Sequence, residues 1–106
     1  MTTFLSMSRI DLRDAEFDVS VTDLGGTPVT PAAVDVAILP SRTRPTAATT
    51  WTSGDYTAGT VTVLLAGPDA DPTGALVVPA TGGDLWVKVT DYPEIWAMQA
   101  ARVTIT

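Results

Sequence analysis

The chain has 106 residues, 45% of them hydrophobic and 17% charged, which suits one globular domain and is too short for two separate cores. A net charge of −6 with only six Lys and Arg argues against nucleic acid as a partner, because displacing phosphate counterions needs clustered cations. There is no Cys and no His, which excludes disulfides, thiol chemistry, zinc sites built on those side chains and histidine acid–base catalysis. No run approaches the roughly 18 apolar residues that cross a bilayer, and no basic segment followed by an apolar core opens the chain. A soluble protein with no membrane association is the expectation.

Phe4 to Leu12 is a first apolar stretch of open register. Met1 to Arg13 as a whole reads as the first strand, or as an arm that adds to a neighbouring subunit's sheet; the strand is the favoured reading. Phe17, Val19 and Val21 then alternate with Asp18, Ser20 and Thr22, the period-2 pattern of a strand with one wet face. Leu24-Gly25-Gly26-Thr27-Pro28 supplies a turn. Val34, Val36 and Ile38 form the next alternating set, closed by Pro40.

Ser41 to Gly59 is a long segment of small polar residues that carries Trp51 and Tyr56, with room for a short edge strand over 49–53. Thr60 to Ala66 reads as a central strand with Val61, Val63 and Leu65 on one face. The stretch from Gly67 to Gly74 is made almost wholly of turn formers, and Ala75 to Pro79 can hold a short strand after it. Past the Gly82-Gly83 turn, Leu85, Val87 and Val89 alternate with Trp86, Lys88 and Thr90 in the clearest strand of the chain. After a turn at Asp91-Tyr92-Pro93-Glu94, Ile95 to Arg102 contains good helix formers. Its short length and the Val-Thr-Ile-Thr that follows favour a long, bulged strand running to Ile105. Six to eight short strands folded back at Gly and Pro predict a single all-β domain over residues 1–106, an immunoglobulin-like antiparallel β-sandwich.

Two groups of segments carry a resemblance: Ala47-Ala48-Thr49-Thr50-Trp51 with Leu65-Ala66-Gly67-Pro68-Asp69-Ala70-Asp71, and Gly83-Asp84-Leu85-Trp86-Val87-Lys88-Val89-Thr90-Asp91-Tyr92-Pro93-Glu94. In order and spacing they resemble the small Ig-like virion structural proteins of tailed phages that infect actinobacteria. The resemblance covers Ala33 to Thr106. It implies a structural role in the virion, on the capsid surface or in the head–tail connector, for a particle assembled in the host cytoplasm. Partners would be capsid, connector or tail subunits, with the chain in a homo-oligomer or symmetric array.

Partner contact is expected at Trp51, Trp86, Trp96 and Tyr92 and at Arg9 and Arg13. Trp86 shares parity with Lys88 and Thr90, so it lies on the outer sheet face if Leu85, Val87 and Val89 face the core. Trp51 is expected to plug one end of the sandwich, and Trp96 can go either way. A second reading makes the tryptophans a platform for carbohydrate or a host surface. Asp69 and Asp71 can offer oxygens to calcium, but no closing acidic residue accompanies them, and hydrogen bonding to their own turn is the simpler reading. Asp84, Asp91 and Glu94 lie near a hairpin, where turn-capping carboxylates are far commoner than a glycosidase pair. The serines have no histidine to activate them. No catalytic residue, metal or cofactor is expected, and the chain is not read as an enzyme.

Overall fold

A computed structural model describes residues 3–19, 25, 31, 33–57, 59–70, 75–91 and 94–106. Its elements, in chain order, are β1 (Thr3–Met7), β2 (Leu12–Asp18), β3 (Ala33–Leu39), β4 (Thr52–Ser53), β5 (Asp55–Thr57), β6 (Thr60–Ala66), β7 (Leu76–Val77), β8 (Gly83–Asp91) and β9 (Glu94–Ile105). They form a five-stranded sheet in the order β1-β9-β8-β3-β4 and a four-stranded sheet in which β6 lies between β2 and β5 and also pairs with β7. The domain is an all-β sandwich, with no helix among the described residues.

The alternation read from the sequence decides what lies between the layers. Val34 and Val36 of β3, Val61 and Leu65 of β6, and Leu85, Val87 and Val89 of β8 all point inward and join one buried cluster. Phe17 of β2 and Val103 of β9 complete it. Burying each such side chain contributes roughly 1.5–3 kcal/mol, so this two-sided apolar layer dominates the stability of the fold.

Several details go beyond the expected pattern. The first apolar stretch does not stay in one strand: Ser8 to Asp11 forms a corner, with the Ser8 N–H donating to Asp11 Oδ2 at 2.9 Å and the Asp11 N–H to the Ser8 carbonyl at 3.3 Å. Residues before the corner join the five-stranded sheet, and residues after it join the four-stranded one. Of the edge strand expected over 49–53 only Thr52–Ser53 forms, and a second short strand follows it in the other sheet. Thr52–Ser53 pairs with β3, Asp55–Thr57 pairs with β6, and Gly54 between them donates to the Val34 carbonyl at 2.9 Å. This crossing between layers is why nine strands form among the described residues where six to eight were counted from the sequence.

Two pairings, β1 with β9 and β6 with β7, run parallel, and the others antiparallel. Both involve a short segment, the five residues of β1 at the edge of its sheet and the two residues of β7 beside β6. The turn before β8 needs its glycine, because Gly82 has φ +84° and a Cβ there would lie 2.5 Å from the Val103 carbonyl oxygen. The Leu24–Pro28 turn falls outside the described residues except for Gly25, as do Tyr92 and Pro93 of the last hairpin.

The β8/β9 ladder carries the bulge expected of the last strand. Leu85 opposes Ala101 and Trp86 opposes Gln99, so Ala100 is the extra residue. The insertion resets the parity of β9. Upstream, Trp96 and Met98 face inward opposite Val89 and Val87; downstream, Ala101 and Val103 do so. Without the extra residue, Arg102 would enter the core. With it, Arg102 emerges on the outer face, opposite Asp84.

Candidate interaction surface

The outer face of the five-stranded sheet brings together two of the three tryptophans. Trp86, Lys88 and Thr90 project from β8 on the side away from the core, as their parity predicted. Trp86 lies opposite Ala37 on one side and Gln99 on the other. Trp51 immediately precedes β4, where the register of β3 with β4 places it next to Ala37. The result is a row across four strands: Trp51, Ala37, Trp86, Gln99. Ala37 is outside the core cluster yet only 2% exposed, which follows if the flanking indoles cover a small residue between them. Lys88 reaches over this row and places its Nζ 5.0 Å from the centre of the Trp51 ring, within cation–π range.

Trp51 therefore does not plug an end of the sandwich. It is half-buried on the sheet face because Lys88, two strands away, has a stem long enough to lay its ammonium on the ring. Trp96 takes the other option left open by its sequence: it faces inward opposite Val89 and packs, partly buried, against the core cluster. Tyr92 lies outside the described residues.

Two atoms in the row stand out electrostatically. Trp86 Nε1 and Gln99 Nε2 are both buried and have no hydrogen-bond partner. Both are N–H donors, on residues that oppose each other across β8 and β9. A buried donor left unmade costs about 1–3 kcal/mol, so this face is incompletely satisfied by its own chain. Both atoms are covered within the free domain, so an acceptor from another molecule reaches them only when neighbouring side chains move aside. Exposed apolar side chains are found elsewhere on the surface, with Phe4 71%, Ile10 72% and Ile95 60% exposed.

The remaining described candidates make contacts within the domain. Arg9 forms a two-pronged pair with Asp69, through Nε to Oδ2 at 2.8 Å and Nη2 to Oδ1 at 3.3 Å. Arg9 is thus committed to the corner, and one of the two suggested calcium-ligand carboxylates is occupied; Asp71 lies outside the described residues. The hydrogen bond from Arg9 and its charge hold the Asp69 carboxyl below its usual value, against a smaller opposing effect of burial. Arg13 donates from Nη1 to the Ser6 carbonyl at 3.3 Å and ties β2 back to β1. No group of three Asp or Glu suited to a metal occurs among the described residues.

Asp84 is the residue whose place the sequence concealed. It is the second residue of β8, on the outer face, but is only 2% exposed, and it accepts from Arg102 Nε at 3.0 Å and from the Arg42 backbone N–H at 3.1 Å. Burial pushes its carboxyl up, but the Arg102 hydrogen bond, the Arg42 N–H and the Arg102 charge together outweigh that and leave it below its usual value. The Arg42 backbone is left-handed at φ 66°, a conformation uncommon for a residue with a Cβ, and the Asp84 carboxylate is what fixes it. Asp84 is a strut for the loop after β3. Asp91 and Glu94 oppose each other at the ends of β8 and β9.

Searches with protein-family models, curated proteins and solved structures return no match to this chain. Among the described residues no helix is long and apolar enough to cross a membrane.

Proposed function

We propose that this chain is a non-enzymatic assembly protein, an Ig-like virion component of a tailed phage that works through protein–protein contacts on the capsid surface or in the head–tail connector. The observation that carries the assembly reading is the row Trp51, Ala37, Trp86, Gln99 on the outer sheet face, with both indoles only partly covered and two of its donors, Trp86 Nε1 and Gln99 Nε2, left without a partner. Tryptophan surrounded by water-excluding neighbours is the side chain that most often dominates a protein interface. The virion placement rests on the order and spacing of the segments from Ala47 to Glu94 that resemble such proteins.

A protein partner fits this face better than a sugar. Stacking on a pyranose needs an open ring face, and Lys88 already lies over the Trp51 ring. A neighbouring capsid, connector or tail subunit, by contrast, offers apolar area to the partly exposed indoles.

The test is mass spectrometry of purified particles together with deletion of the gene. A capsid-surface protein should be present in many copies, and its loss should leave DNA-filled but less robust heads. A connector protein should be present in few copies, and its loss should stop heads and tails from joining. In either case Trp86→Ala should lower incorporation while the free protein stays folded. Particles that never contain the chain would overturn the proposal.

A further inference from the structure

The outer face of the four-stranded sheet is acidic. β2 turns Asp14, Glu16 and Asp18 away from the core, because Ala15 and Phe17 take the inward parity, and β5 adds Asp55 while Tyr56 packs inward. The register gathers these carboxylates: Glu16 and Asp55 flank Thr62 from two sides, and Asp18 opposes Thr60. All four are exposed. Arg13, the one cation in the strands of this sheet, shares the inward parity of Ala15 and donates to the Ser6 carbonyl. The residues outside the described set include no Lys or Arg, so none of them can neutralise the face. At its far end the same face turns apolar, where Leu12, 52% exposed, and Val77, 44% exposed, flank Ala66.

The outer face of the five-stranded sheet is its complement. Lys88 and Arg102 project from it with Trp51 and Trp86, and the Arg42 N–H on Asp84 holds the loop bearing Arg42 and Arg44 against its end. Both of those arginines are exposed, and among the described residues neither side chain pairs with a carboxylate. The described carboxylates on this face are Asp35, which opposes Lys88, and Asp84, which Arg102 already engages. Cations therefore exceed carboxylates there, and the exposed Phe4 opposite Arg102 adds apolar area.

These two faces decide the occupant. A two-fold dimer would set one face against itself, carboxylates on carboxylates or arginines on arginines, which is repulsive. Stacking unlike faces matches opposite charges and brings apolar side chains to both sides of the contact. The net charge of −6 opposes approach at long range, but at physiological salt that repulsion is screened beyond about 8 Å, and charges in contact are screened much less. The domain measures 44 × 26 × 26 Å, so a long face has room for the roughly 800 Å² per partner that a stable interface buries.

We propose that copies of this chain stack head to tail, the aromatic, cationic face of one against the acidic face of the next. This names a second copy as the partner at the Trp51–Trp86 face and rests on the assembly reading for that face, without needing the virion placement. Because the contact joins unlike faces, each added copy presents a new face of either kind, and the stack closes into a ring or continues as a filament.

The experiment follows the free protein by sedimentation velocity as its concentration rises. The unaltered chain should form dimers and longer species. Glu16→Lys/Asp18→Lys and, separately, Arg42→Glu/Arg44→Glu should each weaken that association about tenfold or more. Melts should show both variants folded, since all four positions are exposed. Mixed together, the two variants should pair as tightly as unaltered chains do, because the first keeps its cationic face and the second its acidic one. The proposal is overturned if the unaltered protein stays monomeric up to about 1 mM. It is equally overturned if either variant associates like the unaltered chain, or if the mixture fails to pair. None of these readouts involves particles, so a failure here is separate from a failure of Trp86→Ala to lower incorporation, which would count against the assembly reading itself.

Discussion

Among the described residues two arginine–carboxylate pairs hold loops to the sandwich, and they differ in everything but their chemistry. At the Asp84–Arg102 pair the carboxylate is 2% exposed and also caps a backbone N–H in a left-handed loop. At the Arg9–Asp69 pair both side chains are about half exposed, 48% and 54%. The second pair has the shorter contact and the more complete, two-pronged geometry. Even so, water competes for both its partners, and exposed pairs of this kind contribute little. The corner it decorates is held instead by backbone. The Gly67 N–H donates to the Asp11 carbonyl and the Asp69 N–H to the Arg9 carbonyl, both at 2.8 Å. The lesson is that burial and what else a carboxylate satisfies, more than ion-pair geometry, determine which pair matters.

That contrast can be tested in four ways. The largest loss is expected from Asp84→Ala, which leaves the Arg42 N–H without its acceptor and the β9 bulge without its outer-face partner. Chemical denaturation should show a fall of about 2 kcal/mol. Next is Gly67→Ala, where a Cβ would meet the Ser8 and Arg9 carbonyl oxygens at clashing distance, so backbone must move. Thermal melting should register a loss of about 1 kcal/mol, more than any side-chain change at the same corner.

Acid should reveal the same ranking. The folded-state carboxyl of Asp84 lies below its unfolded value, so its contribution is fully present above about pH 4 and disappears as pH falls through the folded value. Melts recorded from neutral to acid pH should fall more steeply for the unaltered protein than for Asp84→Asn. The smallest effect belongs to Asp69→Ala, expected to move the melting temperature by less than about 2 °C. A loss at Asp69 as large as that at Asp84 would overturn the comparison.

The sequence made the layers legible because a buried sheet face writes itself as alternation. Leu85, Val87 and Val89 had to share a face, and that alone put Trp86 and Lys88 on the other side. What it concealed were relations set by pairing over long distances. Nothing near Trp51 announces that Lys88 will cover it, because that contact exists only once β4 and β8 flank β3. Asp84 looked like a hairpin carboxylate, since its burial depends on the Arg42 loop and on a bulge one strand away. Gln99 was read only as a possible helix former. Its place opposite Trp86 follows from the one-residue insertion at Ala100, which a period-2 reading cannot locate. The move to the other sheet at Gly54 was similarly invisible, because one glycine in a polar segment signals a bend without saying which sheet comes next.

The parallel pairing of β1 with β9 also has a mechanical consequence. Thr3 lies beside Ala101 and Met7 beside Ile105, and the Thr106 N–H is bonded to the Met7 carbonyl at 2.9 Å. A tension applied between Thr3 and Thr106 therefore pulls the two strands along their length in opposite senses. Every rung between them is loaded in shear at once, where an antiparallel terminal hairpin would unzip rung by rung. The domain is built to transmit force from one end to the other before it yields.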